Sequence, residues 1–192
     1  VDAFSTFATL MAQKGAPLEG SSRFINQEMA LEVLEFMVEL ASLVPDFCAT
    51  FNPIVTAEAL ADDGPFSHAI ALYGYTNYGR VGFRKNLLSY DDIPSFDGQA
   101  SGACLGGTGI AVSSATKNPG AAFKAALTLA KGDVQSTVYT KAGGQPGNLR
   151  AWKSRECNEI TNYFFRNTLR TLERAWIRPP VIGWPDIQME IS

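Results

Sequence analysis

The chain has little histidine and little cysteine: one His, His68, and three Cys, Cys48, Cys104 and Cys157, in 192 residues. Any histidine-based triad or zinc site must therefore use His68. The cysteines form no Cys-x-x-Cys pair, which argues against structural zinc and allows at most one internal disulfide. Long apolar runs are also missing, since none approaches the roughly 20 residues that span a bilayer. There is no basic excess. Lys and Arg number 16 against 19 Asp and Glu, a formal charge of −3 with a pI near 5.2, which argues against a nucleic-acid surface. The Gly106-Gly107-Thr108-Gly109 run lacks the Gly-x-Gly-x-x-Gly spacing, and no P-loop Lys follows it, so nucleotide binding gains no support. No metal, cofactor, internal repeat or low-complexity segment is indicated.

What is present reads as an ordinary globular chain, 46% hydrophobic and 18% charged. The stretch Leu105 to Ala130 organises the reading. A glycine-rich turn leads into a short apolar strand, a polar loop and an Ala-rich helix, with Asn118 as cap and Pro119 at the first position. Gly132 is placed to end that helix. Ala122, Phe123, Ala126, Leu127 and Ala130 make one stripe, which implies packing against a sheet. Elsewhere, Asp2 to Lys14 reads as a helix closed by Gly15, followed by a Pro/Gly/Ser loop from Ala16 to Ser22. Asn26 caps a long amphipathic helix that stops at Pro45.

Further along, Pro53 to Ala61 suits a short helix, and Ala69 to Tyr75 a buried strand running into an aromatic turn. Tyr90 to Ile93 reads as another strand before Pro94, and Asp133 to Tyr139 as a short helix. Gly143 to Asn148 is a turn cluster. The apolar spacing of Ile160, Phe164, Phe165, Leu169, Leu172 and Trp176 predicts one long helix from Asn158 to Trp176. Arg155, Arg166, Arg170, Arg174 and Arg178, interleaved with Glu156, Glu159 and Glu173, read as a solvated face with local ion pairs. Helices alternating with short strands imply an α/β or mixed sheet covered by helices.

The order of these motifs resembles the later part of the extracellular solute-binding proteins of bacterial ABC importers, of the sugar-binding type. The shared series is the amphipathic helix, the strand entering an aromatic turn, a strand ending in Pro, Leu-Gly-Gly-x-Gly-x-Ala-Val-Ser, the Asn-Pro-capped helix, Gly-Gln-Pro and the Arg-Pro segment. The resemblance implies a two-lobed α/β fold, periplasmic-binding-protein-like type II, that closes on ligand between its lobes. Residues 1–101 and 151–192 would build most of the second lobe, and 102–150 the crossover and a first-lobe segment. Because the chain opens at Val1 and is about half the family's length, it reads as a C-terminal fragment whose N-terminal lobe is a missing partner. On that reading it carries one half of the cleft and should bind weakly or not at all alone. The implied function is capture of a carbohydrate or polyol without chemistry, in the periplasm or another extracytoplasmic space, for delivery to an ABC permease.

Candidate ligand contacts follow. Tyr73, Tyr75, Asn77 and Tyr78 sit at a predicted strand end, where open α/β sheets place ligands. Tyrosine faces suit sugar rings and amides suit hydroxyls, although packing with wetted hydroxyls explains the tyrosines as well. The resemblance points to Gly106, Gly107 and Thr108 as a ligand-contacting turn; relatives often carry Trp where Thr108 stands, so a smaller or more polar ligand fits. It also points to Gln145 of the Gly-Gln-Pro turn, and to Arg178 and Trp184 beside Pro179-Pro180. For each, a structural role competes: a tight turn, an ion pair or a core anchor. A different class, a small hydrolase, would use Cys104 with His68, or a carboxylate pair drawn from Asp62-Asp63 and Asp91-Asp92. A cytoplasmic effector-binding sensory module is the third alternative.

Overall fold

The computed structural model describes residues 2–19 and 24–191, so Gly20, Ser21 and Ser22 of the expected loop lie outside the described residues. The helices in chain order are α1 (Asp2–Gln13), α2 (Gln27–Ser42), α3 (Pro53–Ala61), α4 (Pro119–Ala130) and α5 (Gly132–Val134), which runs into a π-helical turn at Gln135–Tyr139. They continue with α6 (Leu149–Trp152), α7 (Arg155–Ile160), α8 (Phe164–Asn167), α9 (Leu169–Glu173) and α10 (Trp184–Ile191). The fold is 51% helical and 1% strand, with no sheet among the described residues. This overturns the expected α/β, type II binding-protein architecture. An isolated parallel bridge between Cys104 and Trp176 is the extended pairing that remains.

The helix starts follow local chemistry. Asn26, Asn52 and Asn118 each accept a hydrogen bond on the side-chain oxygen from an amide in the first turn, a cap that contributes about 1 kcal/mol. Gly15, at φ +76°, takes the left-handed position that ends α1. The expected strands fail for local reasons too. Ala71 has φ +52°, which breaks an extended run inside 69–75, and Ile70 is exposed. The apolar segment after Gly109 is exposed coil. Among the described residues no strand pairs with either, and an apolar run becomes a strand only when another strand takes its backbone groups. α4 forms where expected, but none of its residues is buried, so its apolar stripe has no sheet beneath it. Lys131, extended at ψ 139°, closes α4, and Gly132 instead accommodates Asn148, whose Oδ1 would lie 2.9 Å from an added Cβ.

The chain divides into two compact units, the first Val1–Tyr73, Asp92–Leu105 and Arg170–Ser192, the second Gly74–Asp91 and Gly106–Leu169. The expected segment 1–101 is therefore shared between them, 102–150 lies in the second apart from 102–105, and 151–192 divides after Leu169.

In the first unit α1 buries Phe4, Phe7, Leu10 and Met11 against Ala30 and Val33 of α2, with Leu18 and Trp184 completing the core. Trp184 meets Phe4, Phe24 and Trp176 with ring centroids 6.0, 5.6 and 6.0 Å away. The Cys104–Trp176 bridge ties two segments distant in sequence: the Trp176 amide donates to Ala103 O at 2.7 Å, and Leu105 N to Trp176 O at 2.8 Å.

In the second unit the core is Trp152, Phe164, Phe165 and Cys157. Phe164 packs edge-on against Tyr90 at 4.8 Å, and Trp152 against Phe165 at 5.2 Å. Gly74 makes this packing possible, because a Cβ there would sit 2.7 Å from the Phe164 ring. The predicted long helix is broken. Asn162 and Tyr163 take φ of 51° and 60°, and the chain reverses into α8. Asn158 causes the break: its carbonyl accepts the Tyr163 amide at 2.8 Å and its side-chain oxygen accepts the Arg166 amide at 2.8 Å.

Candidate functional site

A cleft of about 360 Å³ opens in the second unit, at the small end of the roughly 300–1,000 Å³ typical of ligand sites. Its residues come from a stretch of fewer than twenty: Trp152 of α6, Lys153 and Arg155, Asn158 of α7, then Tyr163, Arg166 and Leu169. The left-handed reversal at 162–163 brings the second group back to the first. Without it, an uninterrupted helix would carry residues 163–169 away along its axis, since each residue advances about 1.5 Å.

Asn158 holds the two groups together. It is buried, and its Nδ2 donates to Trp152 O at 2.8 Å and Ser154 O at 2.9 Å while its Oδ1 accepts from Arg166 N. Trp152 is fixed by its indole N–H, which donates to Pro146 O at 2.7 Å. The aromatic and cationic parts are then arranged together. The Arg166 guanidinium lies 4.3 Å from the Tyr163 ring centroid, and its Nε donates to Asn167 Oδ1 at 3.3 Å. Arg155 donates from Nε to Glu159 at 2.7 Å, a contact that raises the Arg155 pKa. Neither Lys153 nor Arg166 has a carboxylate partner among the described residues. The arrangement offers a ring face, apolar surface from Trp152 and Leu169, and donors of positive charge.

The residues expected to bind ligand lie elsewhere, in both units. Tyr73, in the first unit, is half-buried and donates to Ser5 Oγ at 3.3 Å. Burial raises its pKa, a hydrogen bond with Cys104 adds to that, and Arg178 opposes it. Arg178 is exposed and donates to Gln188 Oε1 at 3.3 Å. Trp184 is a core anchor at 7% exposure, and its buried indole nitrogen has no hydrogen-bond partner among the described residues.

In the second unit Tyr75 is exposed, and Asn77 and Tyr78 belong to a 3₁₀ turn at Thr76–Gly79. Tyr78 is buried edge-on to Phe83 at 5.2 Å. Gln145 accepts the Thr76 amide at 3.0 Å and donates to Gly74 O at 3.2 Å, so both ends of its amide fasten the backbone on either side of Tyr75. Gly106, Gly107 and Thr108 are exposed coil. The structure brings Tyr73 and Arg178 into electrostatic reach of each other, and Gln145 to the Tyr75 turn.

The two groups of the Cys-His hydrolase alternative sit in different environments. Cys104 is buried, its amide taken by Thr9 Oγ1 at 2.9 Å, while His68 is exposed with its Nδ1 3.2 Å from Ser67 Oγ. Asp92 accepts the Thr171 amide and hydroxyl at 2.9 and 2.8 Å, and so anchors the start of α9. Among the described residues no group of three or more His, Cys, Asp and Glu is placed to hold a metal ion.

Sequence reasoning missed the cleft because Arg155 and Arg166 read as part of one solvated helix face and Lys153 carries no signal of its own. The available signal was Asn158 followed by Asn162: a residue type that tolerates left-handed backbone, four positions after one that competes for helix amides. No family model, curated protein or solved structure matches the chain.

Proposed function

We propose that the chain is a non-enzymatic, small-solute-binding component of an ABC-type import system, working outside the cytoplasm, with a carbohydrate or polyol as ligand. The cleft in the second unit carries the reading. It has the volume of a small-molecule site and apolar surface at Trp152 and Leu169, a combination that suits the apolar side of a sugar ring, beside the Tyr163 ring that Arg166 lies over. Of the motif series, the long amphipathic helix and the Asn118-Pro119-capped helix are formed and its two strands are not, so the transport context rests on those helices together with the Gly-Gln-Pro and Arg-Pro segments of the sequence. Binding would involve hydrogen bonds and stacking with no bond made or broken. Preferential affinity for one conformation would shift the population toward the form that a membrane permease recognises.

Because the cleft is built from residues 152–169, this chain can be tested directly. A thermal-shift screen against mono- and disaccharides and polyols should raise the melting temperature with at least one compound, since a ligand at about 100 times its Kd adds about 2.7 kcal/mol to the folded state. Tyr163→Ala should abolish the shift. No shift with any solute in a folded sample would refute the proposal.

A further inference from the structure

We infer that the solute taken by this cleft is anionic: a small ring compound bearing a carboxylate or phosphate, held by Lys153 and Arg166. The inference rests on the solute-binding reading and narrows its ligand class. Three of the seven lining residues are cations and none is a carboxylate. Arg155 is offset by Glu159, which leaves Lys153 and Arg166 facing the cleft without acidic partners.

The rest of the chain does not explain this. The whole chain, cleft cations included, carries a net charge of −3, so the preference for an anion is local to the cleft. The cations are also brought together at a cost. Two successive non-glycine residues, Asn162 and Tyr163, are left-handed, a conformation that residues with a Cβ seldom adopt. The buried Asn158 clamp keeps Arg166 on the Lys153 side of the reversal.

Arg166 is suited to the role. Its Nε is taken by Asn167 and its Cζ lies over the Tyr163 ring, so the guanidinium is held while its two terminal nitrogens have no protein partner among the described residues. That edge matches the two oxygens of a carboxylate or phosphate. Lys153 adds a mobile point charge. The ring portion of the solute would lie against Trp152 and Leu169.

The test is calorimetric titration of the whole chain with glucose, glucuronate, glucose 6-phosphate and inorganic phosphate, at low and high salt. The acidic sugars should bind at least about tenfold more tightly than glucose, and salt should reduce that margin. Arg166→Gln and Lys153→Gln should each remove most of the margin while the circular dichroism and melting temperature of the free protein stay unchanged. Glucose binding as tightly as the acids, or a margin that survives both substitutions, would overturn the anion inference and leave the solute reading intact. Phosphate binding without any sugar would uphold the anion site and overturn the carbohydrate reading. No binding by any of the four would overturn both. A preference for glucuronate over glucose 6-phosphate, or the reverse, would identify which oxyanion the Arg166 edge fits.

Discussion

Replacing Asn158 by Ala removes three hydrogen bonds from one buried side chain, and the cost of each can be worked out separately. Ser154 O keeps a second donor, the Asn158 amide at 3.1 Å, so losing Nδ2 there is cheap. Trp152 O and the Arg166 amide lose the partners at 2.8 Å. A buried backbone group left unsatisfied costs about 1–3 kcal/mol, so the two together come to about 3 kcal/mol, or roughly a 150-fold change in the folding equilibrium. Urea unfolding followed by Trp fluorescence should show the midpoint falling by about 1–2 M for an m-value of about 2 kcal/mol/M. The reversal at Asn162 and Tyr163 also loses its anchor, so binding in the cleft should weaken beyond the loss of stability. Asn158→Asp keeps the acceptor for Arg166 and sets a carboxylate against two carbonyl oxygens, so it should be at least as damaging as Ala. A loss below about 1 kcal/mol for the Ala variant, or an Asp variant as stable as wild type, would refute the clamp.

Three further outcomes are expected. Tyr90 is held up to a pKa of about 12 by burial, opposed by its hydrogen bond to Tyr75 O. Since the unfolded phenol ionises near 10, Tyr90 contributes stability in full below about pH 10 and loses it between pH 10 and 12. Tyr90→Phe should flatten that part of the decline in a comparison of urea midpoints, and an unchanged slope would refute the assignment. Trp184→Ala should destabilise the first unit by about 3–5 kcal/mol, as for a large buried aromatic, while solute affinity of the folded fraction stays the same; weaker binding with unchanged stability would restore Trp184 as a ligand contact. Ala71→Gly, at φ +52°, should gain up to about 1 kcal/mol, and Gly15→Ala, at φ +76° with open space around it, should lose about 1 kcal/mol; thermal melts that reverse these signs would contradict the backbone assignments.

Where a residue acts on its own neighbours, the sequence is a sufficient guide. Asn26, Asn52 and Asn118 cap helices, Pro119 starts one and Gly15 ends one, because each operates within four residues of itself. Strands need a distant partner, and the apolar runs at 69–75 and 109–113 have none among the described residues, so apolarity alone misled. The break at Asn162 escaped because Ile160, Phe164, Phe165 and Leu169 keep helical spacing across it. The same residues can fill one core from two short helices and a reversal. The cleft depends on that reversal, and so it was not legible in the spacing of Lys153, Arg155 and Arg166.

α4 is held by its Asn118 cap, its own turns and contacts of its C-terminal end with α5 and the Gln135–Tyr139 turn, where Gln135 donates to Leu129 O, and none of its side chains is buried. At twelve residues it is near the length at which a helix in water is only marginally stable by itself. Its amide protons should therefore exchange with solvent through local fraying, far faster than those of α1, and independently of denaturant at low concentration. A protease that needs an extended substrate should cut first in the exposed coil at 106–113 and next in α4, between Ala121 and Leu129, and neither cut should touch the cleft at 152–169.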